Sequence, residues 1–165
     1  ARALDGGPPP LRALILLATN HFLNGSRVET LQEKTTFKKA LVTRRCIVPF
    51  DGFYEWRKNE DGSKTPFRIQ LIGQEIFSIA GLWEKWHSPK GEDIFSFTLI
   101  TMAPNKFMSK IHDRMPAILT DDSEKLWLED GLSTDELLKI IKPLPEQSLK
   151  AYEVSSRVGN VRNND

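Results

Sequence analysis

From Cys46 to Thr101 the sequence alternates short apolar and aromatic segments with turn signals, and this cadence restricts the fold more than any other feature of the chain. Cys46–Phe50 and Gly52–Trp56 carry the β-branched and aromatic residues that favour extended backbone. Asn59-Glu60-Asp61-Gly62 is a turn signal, because Asp-Gly accepts positive φ at little cost. Pro66–Ile72 then returns with clean period-2 alternation as the second arm of a hairpin. Glu75–Trp86 is a further extended segment, Ser88-Pro89-Lys90-Gly91 a second turn, and Ile94–Thr101 a last strand with Phe95, Phe97 and Leu99 on one face. Strands in direct succession joined by turns predict an antiparallel meander that curls into a β-barrel or half-barrel.

Helical signals flank this region. Thr30–Ala40 reads as a helix opened by a Thr30–Glu33 capping box. Asn105–Lys110 supplies a turn or two, and Asp122–Asp130 begins with Asp-Ser and carries Leu126, Trp127 and Leu128. Ser133 and Glu136 form a second capping box before Leu137–Ile141, and Pro143 and Pro145 end that helix. Tyr152–Val154 is a short final strand. The fold class is therefore α+β, a single domain with peripheral helices. Residues 1–23 stand apart from it: Gly6-Gly7-Pro8-Pro9-Pro10 is linker-like, and Arg2 and Arg12 precede an apolar run too short for a membrane span. No small-x-small cleavage site follows cleanly, which argues against a signal peptide. The domain is drawn over 24–165.

The net charge of +1 neither demands nor excludes nucleic acid, so a DNA surface has to be a local patch. One cysteine, Cys46, excludes an internal disulfide or a multi-cysteine zinc site and fits a reducing, cytoplasmic setting. With His21, His87 and His112 scattered singly, no metal and no other cofactor is expected.

Three stretches carry candidate chemistry. Glu55 lies between Tyr54 and Trp56, so period-2 geometry puts it on a face with Phe53. A carboxylate among aromatics gains a raised pKa suited to general acid work; the plainer reading is an outward Glu on a half-exposed strand. Ile111-His112-Asp113-Arg114-Met115-Pro116 packs imidazole, carboxylate and guanidinium into three positions, and Pro116 holds Met115 extended. It presents His112 for proton transfer and Arg114 to a phosphate, or it is a solvated loop with local ion pairs. Arg27, beside Asn24-Gly25-Ser26, either binds phosphate or pairs with Glu29. Arg44-Arg45 puts two cations before a strand, and Cys46 among apolar neighbours reads as a buried structural thiol. Arg157 and Arg162, with Asn160, Asn163 and Asn164, make the C-terminal stretch suited to DNA backbone contacts or a frayed tail.

In their order, Arg44–Trp56, Ile111–Ile118 and Val154–Asn164 resemble the three signature blocks of the SRAP family, the SOS response-associated peptidase domain. The resemblance implies a sensor and processor of abasic sites in single-stranded or junction DNA. It implies an N-terminal cysteine in the complete protein whose amine and thiol capture the abasic aldehyde as a DNA–protein crosslink, with autopeptidase activity that exposes that cysteine. It assigns proton transfer to Glu55 and His112, placement of the cysteine to Asn24, and DNA contacts to Arg27, Arg44, Arg45 and Arg114. The Cys-Gly-Arg block is absent from residues 1–23, and Asn24-Gly25-Ser26-Arg27 is one residue longer than the family's Asn-x-Arg. A single-stranded DNA-binding relative lacking the nucleophile is the alternative expectation.

Overall fold

The computed structural model describes residues 22–33 and 35–160. In chain order these form β1 (Phe22–Arg27), α1 (Thr35–Thr43), β2 (Arg45–Phe50), β3 (Phe53–Lys58), β4 (Lys64–Leu71), β5 (Phe77–His87), β6 (Asp93–Met102), β7 (Met115–Pro116), β8 (Ile118–Leu119), α2 (Asp121–Leu128), α3 (Thr134–Ile140) and β9 (Leu149–Glu153). The extended segments and both expected hairpins are present, and the class is α+β. The barrel is not. The described strands divide into a six-stranded sheet, β1-β6-β5-β2 with β7 on β6 and β8 on β5, and a three-stranded sheet, β3-β4-β9.

Two local events turn the expected meander into two sheets. After β2 the chain does not fold back on itself: β2 pairs with β5, while β3 begins the other sheet. The switch occurs at Asp51-Gly52, where backbone packs against backbone. A Cβ on Gly52 would stand 2.9 Å from the Ile69 carbonyl oxygen, so only glycine fits there without movement. Second, β1 runs parallel to β6, with Phe22 opposite Phe97 and Arg27 opposite Thr101. The β5–β6 hairpin occupies only one edge of β6, and β1 takes the other.

Two of the helices, α2 and α3, carry capping boxes, and α1 starts away from its expected one. Ser133 and Glu136 form the expected box at α3. α2 is capped one residue earlier than its acidic start suggests, by Thr120 and Ser123. The Thr30–Glu33 box does not form. Thr30 instead donates its hydroxyl to the Arg27 carbonyl at 3.1 Å in a single 3-10 turn, and α1 starts at Thr35.

One apolar cluster joins the sheets: Ile69, Leu71 and Leu149 come from the small one, and Ile79, Leu99 and Ile100 from the large one. Trp127 of α2 is fully buried in it and donates its indole N–H to the Cys46 carbonyl at 2.9 Å. Arg45 completes this corner. Its guanidinium donates to four backbone carbonyls, those of Leu41, Val42, Trp127 and Glu129, at 2.6–2.8 Å. The ends of α1 and α2 leave carbonyls without helical partners, and a five-donor fork satisfies several of them at once. Among the described residues no helix is long and apolar enough to cross a membrane.

Candidate active site

β3 is an edge strand of the small sheet, and its alternation sends Phe53 and Glu55 to the inner face while Tyr54 and Trp56 stay exposed. The inner face meets the large sheet around a cleft of about 270 Å³. Phe50, Phe53, Ile79, Leu99, Met115 and Pro116 give it apolar walls, and Glu55, Thr101 and Arg114 supply its polar groups. Burial in this setting raises the pKa of Glu55, because a carboxylate loses hydration there faster than its neighbours restore it. The nearby His112 and a backbone N–H oppose the shift, and the Asp113 charge adds to it.

His112 stands across from Glu55, with Nε2 3.6 Å from a Glu55 carboxylate oxygen. The loop that carries it is anchored at both ends. On the N-terminal side Asn105 accepts the Met108 N–H with its side-chain oxygen and donates its amide to the Leu144 carbonyl, both at 2.9 Å. The His112 N–H then bonds the Met108 carbonyl. On the C-terminal side β7 pairs with β6 and β8 with β5, so Met115–Leu119 crosses from one strand of the central hairpin to the other. The imidazole itself is oriented by the chain: Nδ1 accepts the Arg114 backbone N–H at 3.1 Å. The same nitrogen lies 3.2 Å from the Asp113 carboxylate, and Nε2 is the nitrogen that faces Glu55.

Arg114 closes the cleft's far side. It makes a bidentate pair with Glu29 at 2.7 and 2.8 Å and donates to the Thr101 carbonyl at 2.8 Å. That fork holds the Glu29 carboxyl below its usual range. Glu29 thus takes Arg114 as partner rather than Arg27, which stands exposed at the end of β1.

The site residues expected from sequence separate into two groups. Glu55 and Arg114 line the cleft, His112 stands 3.6 Å from Glu55 at its margin, and Arg27 lies at the adjoining strand end opposite Thr101. Arg44 and Arg45 do not converge there. They sit at the other end of β2 from the cleft-lining Phe50, roughly 16 Å along the strand. Arg44 pairs with Glu84 at 2.7 Å, and Arg45 is buried in its carbonyl clamp, so the expected phosphate contact of Arg45 gives way to a structural role. Arg157 is exposed on a 3-10 turn, Ser156–Gly159, whose Gly159 packs near the Trp56 ring. Asn24 falls on β1, with its side chain outside the described part of the structure, and Arg162 lies outside the described residues. Cys46 is buried, and desolvation pushes its thiol up to about 12, which removes it as a nucleophile. Among the described residues no cluster of three or more His, Cys, Asp or Glu is placed to hold a metal ion.

Sequence reasoning missed Asn105 and the role of Glu29. Asn105 had a readable signal, since an Asn three residues before a turn is a capping spacing. Glu29 had none, because its partner is 85 residues away.

The chain matches the family model of SOS response associated peptidase (SRAP) over residues 17–161. It is 46% identical over 140 residues to the abasic site processing protein YoqW of Bacillus subtilis, covering 84% of this chain and 62% of that protein. It is 36% identical over 162 residues to the abasic site processing protein HMCES of Xenopus tropicalis, covering 86% of this chain and 48% of that one. A crystal structure of a protein from Bacteroides thetaiotaomicron superposes with a TM-score of 0.79 at 34% identity, over 86% of this chain and 62% of the other. The chain therefore spans about half to three-fifths of the length of these relatives.

Proposed function

The chain belongs to the SRAP family, and from that premise we propose that the complete protein processes abasic sites in single-stranded DNA through a covalent crosslink made at the cleft. The observation that carries the reading is the Glu55–His112 pair at an apolar cleft, a carboxyl of raised pKa with an imidazole nitrogen 3.6 Å away. Abasic-site processing is what the relatives' names describe, and the chemistry of an abasic site needs this kind of pair.

An abasic deoxyribose is mostly closed as a hemiacetal. Opening it takes a proton from the anomeric hydroxyl and gives one to the ring oxygen, which is general acid–base work. The aldehyde then accepts the α-amine of an N-terminal cysteine. The carbinolamine loses its hydroxyl as water when an acid protonates it, and an imine remains. The adjacent thiolate adds to the imine carbon, the nitrogen takes up a proton, and the ring closes as a thiazolidine. Glu55, protonated more readily than an ordinary carboxyl, donates to the departing hydroxyl, and His112 relays the proton back. The same two groups serve the autopeptidase step that frees the cysteine amine. Arg27, exposed at the end of β1, brings positive charge to the phosphates that flank the sugar, with Arg114 reaching them only by exchanging Glu29 for a phosphate and Asn24 placing the cysteine. The buried Cys46 takes no part.

The test incubates the chain, and a version bearing an N-terminal cysteine, with single-stranded DNA that contains one abasic site, followed by a denaturing gel. A stable shifted band with the cysteine version, lost in Glu55→Gln and His112→Ala, supports the mechanism. Binding of the strand by every version with a shifted band from none sinks the crosslink and leaves a DNA-binding relative.

A further inference from the structure

The face of the small sheet opposite Glu55 has a composition unlike the rest of the surface. Register places Lys58, Tyr54, Lys64, Arg68, Lys150 and Tyr152 on it, with Tyr54 opposite Arg68 and Arg68 opposite Tyr152. Tyr54 and Tyr152 are 42% and 45% exposed, large values for aromatics on a sheet. No acidic residue occupies this face of the three strands; Asp51, in the turn before β3, bonds Arg68 at its margin at 2.8 Å. The layout is a row of tyrosine, guanidinium and tyrosine across three strands, with Lys150 beyond it on one side and Lys58 and Lys64 on the other, past Trp56 and Pro66. Flat groups that can each take a stacked base, set among fixed cations, are what a single-stranded nucleic acid platform requires. Folded double helices keep their bases stacked on one another and offer nothing to such a row.

Continuity with the cleft gives the face its direction. Tyr54 belongs to both, lining the cleft beside Glu55 while standing opposite Arg68 on the outer face. Among the described strands β3 is the sheet edge, so a strand leaving the cleft rounds a single β-strand to reach the row. We propose that the outer face of the β3-β4-β9 sheet binds the single-stranded DNA flanking the abasic site, by base stacking on Tyr54 and Tyr152 and phosphate pairing with Lys58, Lys64 and Lys150. The proposal rests on the DNA reading above and names a second surface for it, continuous with the cleft at Tyr54.

Fluorescence anisotropy with labelled, undamaged single strands of about 16 and about 4 nucleotides, over a range of salt, tests it. Each single-strand phosphate neutralised contributes about 0.7 to the slope of log affinity against log salt. The variant Lys58→Ala/Lys64→Ala/Lys150→Ala therefore makes the slope for the long strand shallower by about 2, and leaves the short strand's slope as it is. Tyr152→Ala weakens the long strand by roughly fivefold or more with an unchanged slope. A control of equal charge, Lys38→Ala/Lys39→Ala/Lys125→Ala, moves neither. Equal slopes for the parent and the β3-β4-β9 variant, or an equal effect from the control, overturn the platform while DNA binding at the cleft stands. A parent that binds neither strand overturns the platform and the DNA reading together.

Discussion

Glu55 shows how a residue's chemistry follows from its place in a strand. Period 2 put it on one face with Phe53, and that much was legible from Phe53-Tyr54-Glu55-Trp56 alone; that this face turns inward, against the plainer expectation of an outward Glu, was not. What the pattern could not supply was the opposite wall of the cleft, which comes from β5, β6 and β7. His112 was legible as a candidate but not as Glu55's partner, because the two are brought together only by the crossing segment Met115–Leu119. The raised Glu55 pKa has a definite linkage. The folded protein holds a proton on Glu55 that the unfolded chain has already released, so the folded state binds more protons in the window between the two pKa values. Stability attributable to this group is thus present below the ordinary Glu pKa and lost as pH rises through the folded one. Glu55→Gln removes the ionisable group, so its melting temperature rises relative to the parent as pH goes from about 4 to neutrality; a constant difference across that range excludes the linkage. In the crosslinking reaction the same variant slows formation by about 10²–10⁴ and loses the alkaline decline that the parent shows when Glu55 ionises.

At the scale of elements, the strands and capped helices were readable because their signals are local, whereas the sheet partners were not. The expected meander ran from β4 on to β5, but β4 pairs with β9 and β5 with β2; β2 and β3, separated only by Asp51-Gly52, go to different sheets because Gly52 lets the chain pass against the Ile69 carbonyl. Gly52→Ala places a methyl group into backbone that cannot retreat, so it destabilises by about 1–3 kcal/mol, read as a lowered urea midpoint. Arg45 is the second case. Adjacent arginines before a strand look like a phosphate site, yet two of the four carbonyls to which Arg45 donates lie 82 and 84 residues away, at the end of α2 and beyond the reach of local pattern. Arg45→Lys keeps the charge and loses the fork, stranding carbonyls that one ammonium cannot reach. It costs about 2–4 kcal/mol of stability while DNA affinity of the folded fraction stays as in the parent. A selective loss of affinity with unchanged melting contradicts the clamp.

For the whole molecule, the consequence of two described sheets is that the Glu55–His112 pair depends on both. Glu55 belongs to the small sheet, His112 is held by a segment hydrogen-bonded to the large one, and 3.6 Å between them survives only if the sheets keep their relation. That relation rests on the shared apolar cluster and on Arg114, whose bidentate bond to Glu29 fastens the His112 loop to the segment after β1. If the cluster is continuous, neither sheet melts by itself. Ile69→Ala, in the small sheet, and Ile79→Ala, in the large one, remove fully buried side chains and each lowers stability by about 2–5 kcal/mol. Both shift one and the same transition, so tryptophan fluorescence, dominated by residues such as Trp83 and Trp127 on the large-sheet side, and far-UV circular dichroism give coincident curves for the parent and for each variant. Two transitions, with Ile69→Ala moving one and Ile79→Ala the other, mean that the sheets are separate cooperative units. The cleft between them would then be a hinge, and the distance from Glu55 to His112 a variable of the reaction rather than a fixed property of the fold.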